Sequence, residues 1–195
     1  MIKLSFSGAL DSGKTSLLIE AKKILSLKYS VASLEDMSQK NPFDTDKKSS
    51  FISQFFYITH QINEENVKSM SSPDILLCDA SVLDIWIGWK KYIGDIEKSN
   101  AIEEKNQLIQ SIYRFWIKTY DFIFFLRVDG KELEKRKEQD KLVLPEMEYL
   151  KEMETLYLDT IAKDNLNVIE IWNNSSIDEG AHSIIEHISE HNQSP

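Results

Sequence analysis

The octapeptide GALDSGKT, residues 8 to 15, stands between the strand-like run IKLSF and the helix-like run TSLLIEAKKILSL. It fits the pattern G-x-x-x-x-G-K-[ST], and no other stretch restricts the folding of this chain as much. The two glycines let the backbone turn until successive amides point inward as a concave anion nest. The first turn of the following helix adds its partial positive charge. Lys14 is then placed to reach outer phosphates, and the Thr15 hydroxyl to ligate Mg²⁺. Gly8, Asp11, Ser12, Gly13, Lys14, Thr15 and Ser16 are therefore expected to hold the phosphates of a nucleotide together with Mg²⁺. The competing reading is a plain strand-to-helix turn with an incidental lysine. A chance match in a chain of this length is expected about once in a hundred or less.

The rest of the chain supplies the frame such a loop needs. YSVASLE reads as a second strand, and PDILLCD and DFIFFLRV are near-continuous apolar runs of the kind buried on both faces of a sheet. NVIEIW is a fifth strand. Between them lie a polar loop over 36–49 and a long helix opened by Ser49 or Ser50. Helices over 82–93 and 100–119 follow, then a charged stretch from Gly130 and a helix with Pro145 in its first turn. Ser176 and Glu179 have capping-box spacing for a last helix, and HNQSP is expected to fray. Short apolar strands alternating with helices predict an α/β fold: a parallel sheet with helices on both faces, in one domain spanning 1–195.

Composition narrows the function. The 195 residues carry a formal net charge of −9, which argues against an extended nucleic-acid partner and leaves room for a small anion in a local cationic pocket. No apolar run approaches the length needed to cross a membrane. The single cysteine, Cys78, has no internal partner, so a reducing cytoplasm is the expected location. A homodimer is left open.

Ligands of open parallel sheets sit at the C-terminal ends of the strands. Asp79 ends ILLCD and is the expected acid for Mg²⁺, with a helix cap as its alternative role. Glu35 and Asp36 end the second strand, and Glu35 is the candidate for taking a proton from an acceptor hydroxyl. Arg127 and Arg136 stand out from the cluster Lys131, Lys135, Lys137 and Lys141 as cations for the charge that develops in transfer. Gln54 and Gln61 lie on similar helix faces, where an amide can pair with a nucleobase edge. Most of the aromatics from Phe51 to Trp116 are expected in the core.

These segments, in this order, resemble the deoxyribonucleoside kinase and thymidylate kinase branch of the P-loop proteins. GALDSGKTSLL looks like the phosphate loop, SLEDMSQKNPF like the segment carrying the base, here Glu35, and FISQFFYITHQINEE like the helix with a base-recognising glutamine, here Gln54. LLCDASVLD and the run from FLRVDGKELEKRKEQDKL onward resemble the acidic segment after strand three and a mobile lid, about 130–145. The resemblance implies a three-layer P-loop NTPase fold with strand order 2-3-1-4-5. It also implies transfer of the ATP γ-phosphoryl group to a nucleoside or nucleoside monophosphate. Two positions depart: Ala80 stands where the family has arginine, and the lid carries Arg136 followed by lysines and acids. A regulatory NTPase with little transfer, or a kinase acting on a modified base or end in DNA, are the alternatives.

Overall fold

The structure, a computed structural model, describes residues 1–36, 40–43, 50–140, 147–174 and 176–191, with the side chains of 137–140 and 190–191 excepted. Most of the polar loop over 36–49, Lys141, Pro145 and the chain end after 191 lie outside these residues. Five strands form one parallel sheet: β1 (Ile2–Ser7), β2 (Val31–Leu34), β3 (Ile75–Asp79), β4 (Phe122–Arg127) and β5 (Ile169–Trp172). Their spatial order is β2-β3-β1-β4-β5. The strand carrying the phosphate-loop motif is therefore the central one. Pairing runs from Ile2 opposite Ile75 to Phe6 opposite Asp79 on one side, and from Leu4 opposite Phe122 to Ser7 opposite Phe125 on the other. This register brings the ends of β1, β3 and β4 to one edge.

Helices α1 (Lys14–Leu25) and α7 (Ile177–His191) cover one face of the sheet. Leu17, Leu18 and Ala21 pack there with Ala181 and Ile184 over Leu4, Phe6 and Phe124. Gly180 admits this closeness, because a Cβ there would sit 2.7 Å from Leu17 Cδ2. The other face carries α2 (Phe51–Ser69), α3 (Val82–Gly94), α4 (Asn100–Trp116) and α6 (Met147–Lys163). A single turn of 3-10 helix, Ile117–Thr119, ends α4, and α5 (Gly130–Asp140) precedes α6. Its core holds Ile58, Trp86, Trp89, Tyr113 and Tyr157 over Leu76, Cys78 and Phe125. Among the described residues no helix is long and apolar enough to cross a membrane.

The alternation in IKLSFS does not mark a solvated face. Leu4 and Phe6 point toward α1 and α7, while Lys3, Ser5 and Ser7 on the opposite side are buried as well. Helices on both faces favour polar partners for such buried groups: Ser7 bonds Ser81 and Asp84, while the Ser5 hydroxyl has none among the described residues. Lys3 finds one in Glu65 of α2, at 2.8 Å, with both side chains nearly inaccessible. Trp116, Tyr120 and Gln61 also donate to that carboxylate. The Lys3 ammonium lies 4.6 Å from the ring centres of both Trp116 and Tyr120. Cys78, in mid-β3, is fully buried, and burial first, then the charge of Glu65, pushes its thiol well up.

Candidate functional site

The loop after β1 is shaped by backbone that side chains rarely allow. Gly8 has φ +153° and Gly13 φ +89°, while Asp11 reaches φ +59° without being glycine. A Cβ on Gly8 would stand 2.5 Å from the Leu126 carbonyl, and one on Gly13 would collide with the Asn173 side-chain amide. Both glycines are thus required by close approach as well as by dihedral. Gly13 is the N-cap of α1 and has no side chain to offer; no acid lies in the first turn. By contrast α2, α3 and α4 are capped by Ser50, Ser81 and Ser99. The mouth of α1 thus has no side-chain cap and no acid to offset its positive dipole end, the condition for receiving an anion.

Side chains close in around this mouth. The Lys14 ammonium folds back to donate to the carbonyls of Gly8 at 2.7 Å and Ala9 at 3.0 Å. Thr15 Oγ1 donates to Asp79 Oδ2 at 2.6 Å. Asp79 is 3 % exposed, and its other oxygen has no partner among the described residues. Burial pushes its carboxyl above the ordinary range, against the lowering by Thr15 and by the Lys14 charge. The cap of the next helix is Ser81, paired with Asp84 in a capping box, so Asp79 does not fill that alternative role. Ser16 is exposed in the first turn of α1, and Ser12 is buried with a hydroxyl that has no partner among the described residues. Ala80, directly after Asp79, holds φ +88°, a conformation costly for a residue with a Cβ.

Arg136 of α5 reaches the same place. Its guanidinium donates to the Asp11 carbonyl at 3.2 Å and the Asn173 carbonyl at 2.5 Å, and it pairs with Glu132 at 3.3 Å. Arg127 is committed elsewhere. It pairs with Glu154 at 2.7 Å and Glu170 at 2.8 Å and lies 4.2 Å over the Trp172 ring. It still borders a cavity of about 170 Å³ behind the loop, together with Leu10 and Ser12. Glu35 is exposed beyond β2 and faces a cavity of about 580 Å³ shared with Thr15, Lys22, Asp36 and Asp79. Gln54 is buried in the first turn of α2 with its amide against Gly88. Gln61 is tied to Glu65 and to the Ala80 carbonyl. The structure therefore gathers the loop residues, Asp79 and Arg136 at one point, opens Glu35 onto the same cavity, and turns Arg127 away.

Three residues that the sequence did not single out complete the loop. Asp84 accepts from Ser7 Oγ at 2.8 Å, from Ser81 N at 2.8 Å and from the Gly8 amide at 3.2 Å. Tyr157 of α6 lies 2.7 Å from Asp84 Oδ1 and 3.1 Å from the Gly8 carbonyl. Asn173, just beyond β5, donates to the Ser12 carbonyl at 2.8 Å. The spacing Ser81-x-x-Asp84 is a capping-box signature and is the one local signal among them.

Among the described residues no group of three or more His, Cys, Asp or Glu can hold a metal ion by itself. The lone unpartnered Asp79 oxygen beside a Thr hydroxyl suits a cation that takes most of its ligands from phosphates and water, as Mg²⁺ does.

No protein-family model matches the sequence, and no curated protein matches it. Solved structures do match the fold. Deoxyadenosine kinase from M. mycoides with bound dATP has a TM-score of 0.69 at 16% identity, covering 96% of this chain and 100% of that one. The same kinase with the product dCMP and a flexible dCDP gives 0.68 at 15%, over 97% and 100% of the two chains. With bound dCTP it gives 0.61 at 15%, with the same coverage. The chain has the P-loop fold of these deoxyribonucleoside kinase structures, at an identity that carries the architecture alone.

Proposed function

We propose that the chain is an ATP-dependent kinase that moves the γ-phosphoryl group to a deoxyribonucleoside or a nucleoside monophosphate. Residues 1–195 act as one domain, with α5 and the residues after it, to about 145, as the lid. One observation carries the reading. A threonine hydroxyl and a buried acid with an orphaned oxygen meet, 2.6 Å apart, at the uncapped mouth of a helix. A plain strand-to-helix turn has no use for such a pair. The likeness to nucleotide-holding kinase structures supports the same reading.

In this reading the amides of residues 8–16 and Lys14 hold the phosphates. Lys14 has carbonyls as its present partners and can exchange them for phosphate oxygens. Thr15 and Asp79 hold Mg²⁺, which when bound neutralises charge on the phosphates. Glu35 takes the proton of the acceptor hydroxyl, and Gln54 meets the acceptor base. Arg136, rather than the twice-paired Arg127, is the arginine that offsets the charge developed in transfer. Closure of the lid excludes water, without which ATP would be hydrolysed unproductively.

An acceptor screen with radiolabelled ATP tests this. Label on a nucleoside or monophosphate is the expected result. Hydrolysis with no labelled acceptor favours the second reading, a nucleotide-binding NTPase, for which Ala80 and the committed Arg127 speak. Label on polymeric DNA overturns the acceptor class.

A further inference from the structure

We infer that Tyr157 is an interchangeable donor for the phosphate loop: it bonds Asp84 while Lys14 holds the Gly8 carbonyl, and turns to that carbonyl when Lys14 leaves for a triphosphate. The inference rests on the loop being a triphosphate site.

The geometry sets up the exchange. The Gly8 carbonyl has Lys14 Nζ at 2.7 Å and the Tyr157 hydroxyl at 3.1 Å. The same hydroxyl lies 2.7 Å from Asp84 Oδ1. A phenol carries one hydrogen, so it serves one acceptor at a time. With Lys14 on Gly8, the nearer and charged acceptor takes it. Burial first, then the Asp84 charge, push the phenol far up, so that hydrogen stays in place throughout the working pH range.

Moving an ammonium from carbonyl to phosphate strips the carbonyl of its charged donor, and a buried acceptor left bare is unfavourable. Among the described residues Tyr157 is the other donor within reach of Gly8 O. Asp84 can release it without becoming orphaned. Its Oδ1 keeps the Gly8 amide, and its Oδ2 keeps Ser7 Oγ, Ser81 N and Ser81 Oγ. Tyr157 is thus a positioning residue: it acts on the freedom of Lys14 and touches no substrate. It also belongs to α6, the helix after α5, so the loop and the lid region share a fastening.

Calorimetry with Mg-ATP on the full chain tests this, comparing wild type with Tyr157→Phe. The variant is expected to bind about fivefold more weakly, with donor KM raised by the same factor and acceptor KM unchanged. It leaves the Gly8 carbonyl bare in the bound state, whereas Asp84 keeps its other donors in the free state. A folded variant with unaltered Mg-ATP affinity overturns the inference and leaves the kinase reading standing. A wild type that binds no Mg-ATP removes both. A second readout needs no substitution. In the intact protein the Tyr157 hydroxyl proton resonance moves upfield on adding Mg-ATP, as a neutral carbonyl replaces a carboxylate as acceptor. An unmoved resonance in the saturated protein overturns the inference even where the variant fails to fold.

Discussion

Two buried carboxylates, Glu65 on α2 and Asp79 at the end of β3, are treated in opposite ways. Glu65, 1 % exposed, receives Lys3, Trp116, Gln61 and Tyr120, two donors on each oxygen. Asp79, 3 % exposed, receives Thr15 on one oxygen and nothing described on the other. The first arrangement satisfies a buried charge completely and leaves nothing to exchange. The second keeps a charge short of partners, in a desolvated position where a cation from outside completes it. The difference separates an acid that holds the fold from one that waits for a ligand.

The comparison can be broken from either side. The largest expected effect is at the loop: Lys14→Ala lowers ATP turnover about 10³-fold, roughly 4 kcal/mol of barrier, with the melting temperature almost unchanged. Retained turnover in the folded variant discards the site. Next comes the satisfied end. Lys3→Met leaves the Glu65 charge without its counter-ion, at a cost of about 3 kcal/mol in urea unfolding, the low end for a broken buried pair because three donors remain. A loss below about 1 kcal/mol would mean that the ion pair adds little beyond its packing.

Glu35→Gln is expected to reduce phosphoryl transfer about 100-fold with little change in donor binding. Unchanged transfer would pass the role of base to Asp36 or Asp79. The smallest effect sharpens the contrast most. The folded state raises the Asp79 pKa, so it disfavours the ionised form, and wild type loses stability as pH rises through the window between the ordinary carboxylate range and that raised value. Asp79→Asn removes this slope, and at neutral pH with a chelator present it changes stability by no more than about 1 kcal/mol, in the stabilising direction. Urea titrations across pH 4 to 7 measure it. A clear destabilisation would make Asp79 a second Glu65.

What the sequence disclosed follows the range of the interactions. The loop was legible because Gly8, Gly13, Lys14 and Thr15 act through a spacing of eight residues. Buried strands, the Ser50 cap and helix positions were legible for the same local reason. The braces were not. Asp84 meets the Gly8 amide across 76 positions, Tyr157 meets its carbonyl across 149, and Asn173 meets Ser12 across 161. No periodicity announces such pairs. Arg127 shows the same limit from the other side: a lone arginine after an apolar strand looks available until Glu154 and Glu170 arrive from α6 and β5. Gln61 was more readable than it looked, since Glu65 stands four positions on, at helical pairing distance.

Cys78, the chain's single thiol, lies at zero exposure in mid-sheet with its ionisation suppressed. Only the thiolate reacts with alkylating agents. The cysteine is therefore a built-in clock: the rate at which it takes up such a reagent reads the frequency with which β3 parts from its neighbours. A bound triphosphate that holds the end of β3 would slow that clock without coming near the sulfur.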